Sequence, residues 1–144
     1  MRVLIIGASG FIGKYLVRRL KETTICEIVG TFFSSAPQDE LCFWHQVELT
    51  DTSGLEQVFR LAKPDVVVHL AAVADVNTAE RHPERATAVN VGGTSSIARL
   101  CVQHQAKLVF VSTEYVFDGE RGPYLEYDTP RPNTHYGQTK WEAE

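Results

Sequence analysis

The chain has 144 residues, of which 44% are hydrophobic, and a formal net charge of −4 from 14 basic and 18 acidic side chains. This length suits one domain with a hydrophobic core, and this composition excludes intrinsic disorder. Acidic and basic residues are mixed along the chain and apolar runs are strand-sized, so neither a nucleic-acid surface nor a membrane span is expected.

Cysteine usage indicates a reducing compartment. The three cysteines, Cys26, Cys42 and Cys101, are widely spaced and odd in number. This pattern is typical of reduced thiols rather than of a disulfide framework or a metal site. The apolar run that follows the first arginine is too short for a signal peptide. We therefore expect a cytoplasmic protein without a metal centre.

The chain opens with a strand, a glycine-rich turn and an amphipathic helix. The apolar run 3–6 is typical of a buried parallel strand and breaks at Gly7. A helix is predicted from Phe11 to Glu22, with basic residues over much of its remaining surface. The apolar side chains that share one side of this helix are Phe11, Ile12, Tyr15, Leu16 and Leu20.

Strands and helices alternate along the rest of the chain. Asp51 or Thr52 can cap the second helix, and Pro83 suits the first turn of the third. A polar loop rich in proline and glycine precedes the last helix. The further predicted strands cover residues 25–33, 46–49, 66–70 and 107–112, and the further predicted helices cover residues 53–62, 83–105 and 134–144.

Strands that alternate with helical crossovers predict a parallel sheet with helices on both faces. With a glycine-rich first turn, the expected architecture is the doubly wound α/β Rossmann fold, with strand order 3-2-1-4-5. Ligands bind such sheets outside the carboxyl ends of the strands. Segments 7–13 and 71–74 and the pair Ser112 and Thr113 follow or end three of these strands. His69, inside the fourth strand, is expected to be a core residue.

The turn Gly7-Ala8-Ser9-Gly10-Phe11-Ile12-Gly13 predicts a dinucleotide site. Gly7 permits a tight turn, Gly10 lets the backbone approach a phosphate, and Gly13 lets the helix pack close to the sheet. The following helix offers unpaired N–H groups and a partial positive charge to an anion. The alternative interpretation is a tight strand–helix turn without a ligand.

Tyr136 and Lys140 form a second candidate group. Positions i and i+4 share a helix face, and a nearby ammonium lowers the pKa of a phenol. Such a tyrosine can protonate a developing alkoxide, and the Thr113 hydroxyl can bond the same oxygen. The alternative interpretation is a half-buried tyrosine beside a solvated lysine.

Five ordered motifs carry a family resemblance: GASGFIG, HLAAVADV, NVGGT, STEYVFDG and YGQTK. The chain resembles the N-terminal, cofactor-binding part of an extended short-chain dehydrogenase/reductase. The stretch STEYVFDG is similar to that of the dTDP-4-dehydrorhamnose reductase group, with Glu114 in place of the usual aspartate. The same group includes a regulatory subunit of methionine adenosyltransferase.

The resemblance implies roles for individual residues. Tyr136 would be the proton donor or acceptor, Lys140 would hold the nicotinamide ribose and lower the tyrosine pKa, and Thr113 would orient the substrate carbonyl. Asn90 would lie near the active site, or would only bond local backbone. The cofactor-binding residues would be Gly7, Ser9, Gly10, Phe11, Ile12, Gly13, Ser34, Ser35, Glu48, Leu49, Ala71, Ala72, Val73, Asn90, Tyr136 and Lys140.

The end of the second strand bears on the choice of cofactor. An acid there would bind the ribose hydroxyls of NAD. This chain has Thr-Phe-Phe-Ser-Ser at residues 31–35 and no acid until Asp39. Ser34 and Ser35 can hydrogen-bond a 2′-phosphate, although no arginine follows them directly. NADP(H) is therefore favoured over NAD(H).

The expected function is reduction of a nucleotide-linked 4-keto sugar. The alternatives are a cofactor-binding regulatory subunit, or another epimerase or dehydratase of the superfamily, for which Glu114 beside Thr113 leaves an opening. A complete family member has more sheet and a C-terminal substrate domain, so residues 1–144 are expected to be an incomplete Rossmann domain that is inactive by itself. The full-length protein is expected to form a homodimer, with the helix 83–105 as a candidate surface.

Overall fold

The computed structural model describes residues 1–34, 37 and 41–144, and it contains one five-stranded parallel sheet. The strands are β1 (Arg2–Ile6), β2 (Glu27–Phe32), β3 (Phe43–Gln46), β4 (Val66–His69) and β5 (Lys107–Phe110). Their order in the sheet is β3-β2-β1-β4-β5, which confirms the predicted Rossmann topology. The carboxyl ends of all five strands therefore lie at one edge of the sheet.

The helices lie between and after these strands. A short 3₁₀ turn over Glu114–Val116 follows β5, and a π-helical segment over Ala88–Gly93 interrupts the longest helical stretch. The α-helices are α1 (Phe11–Thr23), α2 (Thr52–Ala62), α3 (Val76–Arg81), α4 (Pro83–Thr87), α5 (Thr94–His104) and α6 (His135–Ala143).

The core lies on both faces of the sheet. Alternate side chains of β1 point to opposite faces, since side chains in a strand alternate. Leu4 and Ile6 pack with residues of α2 and α5, and Val3 and Ile5 pack with Val17 of α1. These four β1 side chains are at most 4% exposed, so β1 is the centre of the core.

The third strand differs from the prediction. It covers Phe43–Gln46 rather than residues 46–49, because its register is set by pairing with β2, from Val29 with Phe43 to Phe32 with Gln46. Val47 and Leu49 are buried, as the apolar pattern indicated, but they lie in the connection to α2. Burial alone therefore did not identify the residues that pair.

The predicted helix 83–105 is three segments rather than one regular helix. α4 leads into the π-helical segment and that segment into α5, with helical backbone at both junctions. The prediction also missed α3, whose N-cap Asp75 accepts a hydrogen bond from the backbone N–H of Thr78. Its six residues are too few for a helical period to stand out.

The apolar side of α1 is only partly buried. Gly13 and Val17 face the sheet, whereas Phe11, Ile12 and Tyr15 are between 57% and 80% exposed. The absence of a side chain at position 13 lets the helix backbone approach Gly7 and Ala8, in the turn after β1, and the three large side chains lie outside this contact. The exposed end of α1 lies beside the cleft described next.

Candidate active site

A cleft of about 440 Å³ lies at the carboxyl ends of β1 to β4. Each contributing segment follows or ends one of these strands, and two further residues come from the helical stretch after α3. The residues that line the cleft are Gly7, Ser9, Gly10, Phe11, Ile12, Gly13, Thr31, Phe32, Phe33, Val47, Glu48, Leu49, Leu70, Ala71, Ala72, Val73, Ala74, Arg85 and Val89.

Gly7 forms the turn that leaves β1. Its φ is +85°, a conformation that residues with a Cβ rarely adopt. A Cβ on Gly7 would lie 2.8 Å from the backbone nitrogen of Ala71, in the segment after β4. The Gly7 N–H donates to Thr31 Oγ1 over 3.0 Å. The turn is therefore held between the ends of β2 and β4.

The start of α1 is arranged to receive an anion. A Cβ on Gly13 would lie 2.5 Å from the carbonyl oxygen of Gly7, so only glycine allows this approach. No side chain caps α1, whereas side chains of Asp51, Asp75 and Thr134 cap α2, α3 and α6. The first N–H groups of a helix have no partner within the helix. At α1 they border the cleft and remain available to a phosphate.

Most residues predicted to bind cofactor line this cleft. Ser34 follows Phe33 but is not one of the lining residues, and Ser35 lies outside the described residues. Asn90, Tyr136 and Lys140 do not line the cleft either. Those that do are Gly7, Ser9, Gly10, Phe11, Ile12, Gly13, Glu48, Leu49, Ala71, Ala72 and Val73.

Asn90 is buried and hydrogen-bonds Val73, one of the residues that line the cleft. It is 2% exposed, its Oδ1 accepts from the Val73 N–H over 2.8 Å, and its Nδ2 donates to the Val73 carbonyl over 3.2 Å. The same Nδ2 donates to Thr139 Oγ1 over 2.9 Å, and Thr139 in turn donates to the Tyr136 carbonyl. Asn90 thus bonds the backbone of Val73 and the side chain of Thr139. These bonds hold the loop after β4 and α6.

The Tyr136 phenol lies near Thr113 and Glu114, and both residues affect its pKa. Burial raises the pKa of the Tyr136 phenol, a hydrogen bond with Thr113 acts in the opposite direction, and the Glu114 carboxylate raises the pKa further. Thr113 Oγ1 also donates to Glu114 Oε2 over 3.2 Å and accepts from the Tyr115 N–H. The phenol is therefore protonated at neutral pH and suited to donate a proton.

The Lys140 ammonium lies against the end of β5. Its ammonium donates to the Val111 carbonyl over 2.7 Å and lies 3.9 Å from the centre of the Phe110 ring. Burial lowers the pKa of Lys140 to about 8, and the Glu144 carboxylate opposes that shift. Lys140 is not among the groups that shift the Tyr136 pKa. Burial of the phenol is the largest effect on the Tyr136 pKa in this structure, and the expected lowering of that pKa by Lys140 stays a prediction.

Several lining residues were not predicted. Thr31 is a polar residue buried at the end of an apolar strand, and this unusual placement in the sequence was the available signal. Arg85 is four residues before Val89, so helical spacing places both on one face. Other lining residues are apolar and carried no chemical signal: Phe32, Phe33, Val47, Leu70, Ala74 and Val89.

Within the described residues, no group of three or more His, Cys, Asp or Glu side chains is placed to hold a metal ion. None of the described helices combines the length and apolar character that a membrane crossing requires.

Burial raises the pKa of the Cys101 thiol to about 11, so this cysteine is unreactive at neutral pH.

A family model for the RmlD substrate binding domain matches residues 1–144. The chain is 37% identical over 145 residues to a probable low-salt glycan biosynthesis reductase, Agl14, of Haloferax volcanii, covering 100% of this chain and 48% of that protein. It is 34% identical over 143 residues to methionine adenosyltransferase 2 subunit beta of Bos taurus, covering 99% of this chain and 41% of that protein. The chain spans about half the length of the curated relatives it matches.

Solved structures share this architecture. A hypothetical dTDP-4-dehydrorhamnose reductase from Sulfolobus tokodaii matches with a TM-score of 0.90 and 37% identity, over 99% of this chain and 50% of that one. The UDP-glucose 4-epimerase of Thermus thermophilus, in complex with NAD, matches with a TM-score of 0.86 and 30% identity, over 99% of this chain and 48% of that one.

Proposed function

The chain belongs to the RmlD substrate-binding domain family, and from that premise we propose that it is the dinucleotide-binding half of an NADP(H)-dependent reductase of a nucleotide-linked 4-keto sugar. The similar glycan biosynthesis reductase and the similar dTDP-4-dehydrorhamnose reductase support the reaction class. The whole protein's substrate domain would then lie outside these residues, as the half-length match to both relatives suggests.

The cleft is the observation that carries this proposal. It combines a tight turn that requires glycine, a helix N-terminus without a side-chain cap, and apolar walls. It lies where the strand order reverses, between β1 and β4. These features fit a dinucleotide, with the pyrophosphate at the start of α1 and the adenine near Glu48 and Leu49. The NAD complex of the similar epimerase supports the same assignment.

The chemistry would use Tyr136 and Thr113. A bound nicotinamide would supply the hydride for the keto carbon. Thr113 would orient the carbonyl, and Tyr136 would give its phenolic proton to the oxygen as charge develops there. Lys140 would hold the nicotinamide ribose with N–H donors of its ammonium other than the one bonded to the Val111 carbonyl. Asn90 would position the cleft wall at Val73 rather than touch the reacting atoms.

NADP(H) is proposed over NAD(H) on the basis of the second strand. Residues 31–34, at the end of β2 and directly after it, are Thr-Phe-Phe-Ser and carry no carboxylate that would repel a 2′-phosphate. Ser34 directly follows the lining residue Phe33 and would offer its hydroxyl to that phosphate. Among the described residues that line the cleft, Glu48 is the only acidic one, and it follows β3 instead.

A regulatory subunit is the second candidate, because the chain is 34% identical to methionine adenosyltransferase 2 subunit beta of Bos taurus. The cleft alone would serve either function. The Thr113–Tyr136 contact favours the reductase, since a binding subunit has no need of a proton donor. An epimerase or dehydratase remains an alternative, because Glu114 accepts a hydrogen bond from Thr113.

Calorimetric titration of the purified protein with NADPH and, separately, with NADH tests whether it binds a dinucleotide and which one it prefers. We expect both to bind, with NADPH tighter by about tenfold, because one phosphate contact contributes about 1.4 kcal/mol. Gly10→Ala is the matched variant. A Cβ there meets only the Gly7 carbonyl, at 3.2 Å, so the variant should fold while its methyl group blocks the phosphate.

Gly92→Ala is the control, since a Cβ on Gly92 meets no atom within 4 Å. It should bind both dinucleotides as the parent protein does. A folded parent protein that binds neither dinucleotide contradicts the proposal, and so does a Gly10→Ala variant with unchanged affinity.

A further inference from the structure

Among the described residues that line the cleft, Arg85 is the only cationic one. It lies in α4, on the same helix face as Val89, and both residues border the cleft beside Ala74. Its side chain is exposed, so its positive charge remains hydrated at the border of the cleft. The cleft wall therefore carries one positive charge in addition to the start of α1.

The guanidinium of Arg85 has no partner within the described residues. Three other arginines differ in this respect: Arg19 pairs with Glu22, Arg99 pairs with Glu56, and Arg81 Nε donates to the Asn77 carbonyl. No hydrogen bond or ion pair joins the Arg85 side chain to the part of the chain that the structure describes. A guanidinium presents five donors in a planar fork, and that fork matches the oxygens of a phosphate.

We propose that Arg85 binds a phosphate group of the dinucleotide, so that α4 supplies the cation that the end of β2 lacks. This inference rests on the proposed dinucleotide function. No Lys or Arg occurs between residues 31 and 40, so the position after β2 offers hydroxyl groups but no positive charge. The uncapped start of α1 offers N–H groups and about half a positive charge. Arg85 adds a full charge and a bidentate contact.

Two phosphates of the ligand share this chemistry, the pyrophosphate and the 2′-phosphate. The pyrophosphate is present in both NADPH and NADH, whereas the 2′-phosphate is present in NADPH alone. A comparison of the two dinucleotides therefore tells which phosphate Arg85 contacts. Either contact agrees with the proposal, because both are phosphate contacts from the same guanidinium.

The test is the affinity of Arg85→Gln for NADPH and for NADH, measured by the fluorescence of the reduced nicotinamide. We expect at least about a tenfold loss for NADPH, since a charge-assisted bidentate contact is removed. A loss confined to NADPH assigns Arg85 to the 2′-phosphate, and an equal loss for NADH assigns it to the pyrophosphate. The salt dependence of NADPH binding should also be less steep in Arg85→Gln than in the parent protein.

Arg81→Gln is the matched control, because Arg81 lies on the neighbouring α3 and does not line the cleft. It should bind both dinucleotides within about twofold of the parent. The proposal is overturned if Arg85→Gln binds both dinucleotides like the parent, or if Arg81→Gln loses as much affinity. A folded parent protein that binds neither dinucleotide overturns the proposed function and this inference together, whereas normal parent binding with an unaffected Arg85→Gln overturns only the inference.

Discussion

His69, at the end of β4, is a buried neutral imidazole. Its Nε2 lies 3.0 Å from Thr94 Oγ1, and that hydroxyl donates to the Asn90 carbonyl over 2.6 Å. Nε2 must therefore carry the proton and donate it to Thr94. Nδ1 has no partner among the described residues. Burial lowers the pKa of His69 to about 4, and the Lys140 ammonium lowers it in the same direction.

At the residue scale, this lowered pKa predicts a pH-dependent stability. The unfolded chain protonates His69 near its ordinary pKa of 6.5, whereas the folded protein does so near 4, so the unfolded state binds more protons between these values. The free energy of unfolding should fall as pH falls through this window, by about 3 kcal/mol in total. Urea titrations at closely spaced pH values across this window measure it.

His69→Asn should remove most of this slope, because asparagine can still donate to Thr94 but does not titrate. His82→Asn, at an exposed position, should retain the slope. The lowered pKa values of the Asp75 and Asp118 carboxyls place their effects below the same window. An unchanged slope in His69→Asn would contradict the assignment.

At the scale of an element, the contact between α6 and the 3₁₀ turn positions the Tyr136 phenol. A Cβ on Gly137 would overlap the carbonyl oxygen of Tyr115, and the side-chain rings of Tyr115 and Tyr136 meet edge to face at 5.8 Å. Glycine at 137 therefore sets the distance between α6 and the segment that carries Thr113. The Asn90–Thr139 hydrogen bond holds the other side of the same helix.

Gly137→Ala should destabilise the protein by about 2 kcal/mol or more, since overpacking against backbone leaves no side chain to rotate away. The variant should also weaken the Thr113 contact, because α6 must move outward. Thermal and urea unfolding measure the first effect. Gly92→Ala, in the π-helical segment, is the control and should be neutral or slightly stabilising. Equal stability of the two variants would contradict this account.

At the scale of the whole molecule, the chain corresponds to about half of its relatives. The cleft is formed within these residues, whereas Thr113 and Tyr136 are not among the residues that line it. Dinucleotide binding and turnover are therefore separable properties. The predicted homodimer through residues 83–105 stays a prediction: α5 buries Ile97 and Leu100 in the core, and its exposed residues include Val102.

Tyr136→Phe in the full-length protein separates a reductase from a regulatory subunit. We expect NADPH oxidation with a nucleotide-linked 4-keto sugar to fall by at least about a hundredfold, because the proton donor is lost, while dinucleotide affinity is unchanged. The loss of absorbance at the nicotinamide band of NADPH measures the oxidation rate, and a parallel titration with NADPH measures the affinity. Tyr127→Phe, in an exposed loop position, should behave as the parent.

A full-length parent without turnover would favour the regulatory function, in which case Tyr136→Phe would be without consequence for partner binding. Retained turnover in Tyr136→Phe would show that another group donates the proton. Each result is distinct from the binding results for Arg85→Gln, which concern the cleft alone.

The fold was largely accessible from the sequence. Short apolar runs, glycine at position 7 and the Asp51 cap are local features, and together they indicated the strand count, the strand order and the first two helices. The failures were also local in origin. Phe43 of β3 is apolar yet 71% exposed, whereas Val47 and Leu49 are buried beyond the strand, so hydrophobicity did not mark the bounds of β3. α3 is too short to show a period.

By itself, the sequence determined the architecture and the glycine turn, since strand order and turn geometry follow from patterns within a few residues. Only the tertiary structure decided where Lys140 and Arg85 point. The Lys140 ammonium is held by a carbonyl 29 positions earlier in the chain, and Arg85 reaches a cleft built mainly from strand ends. Desolvation and hydrogen bonding between distant segments set those outcomes, and no local period encodes them.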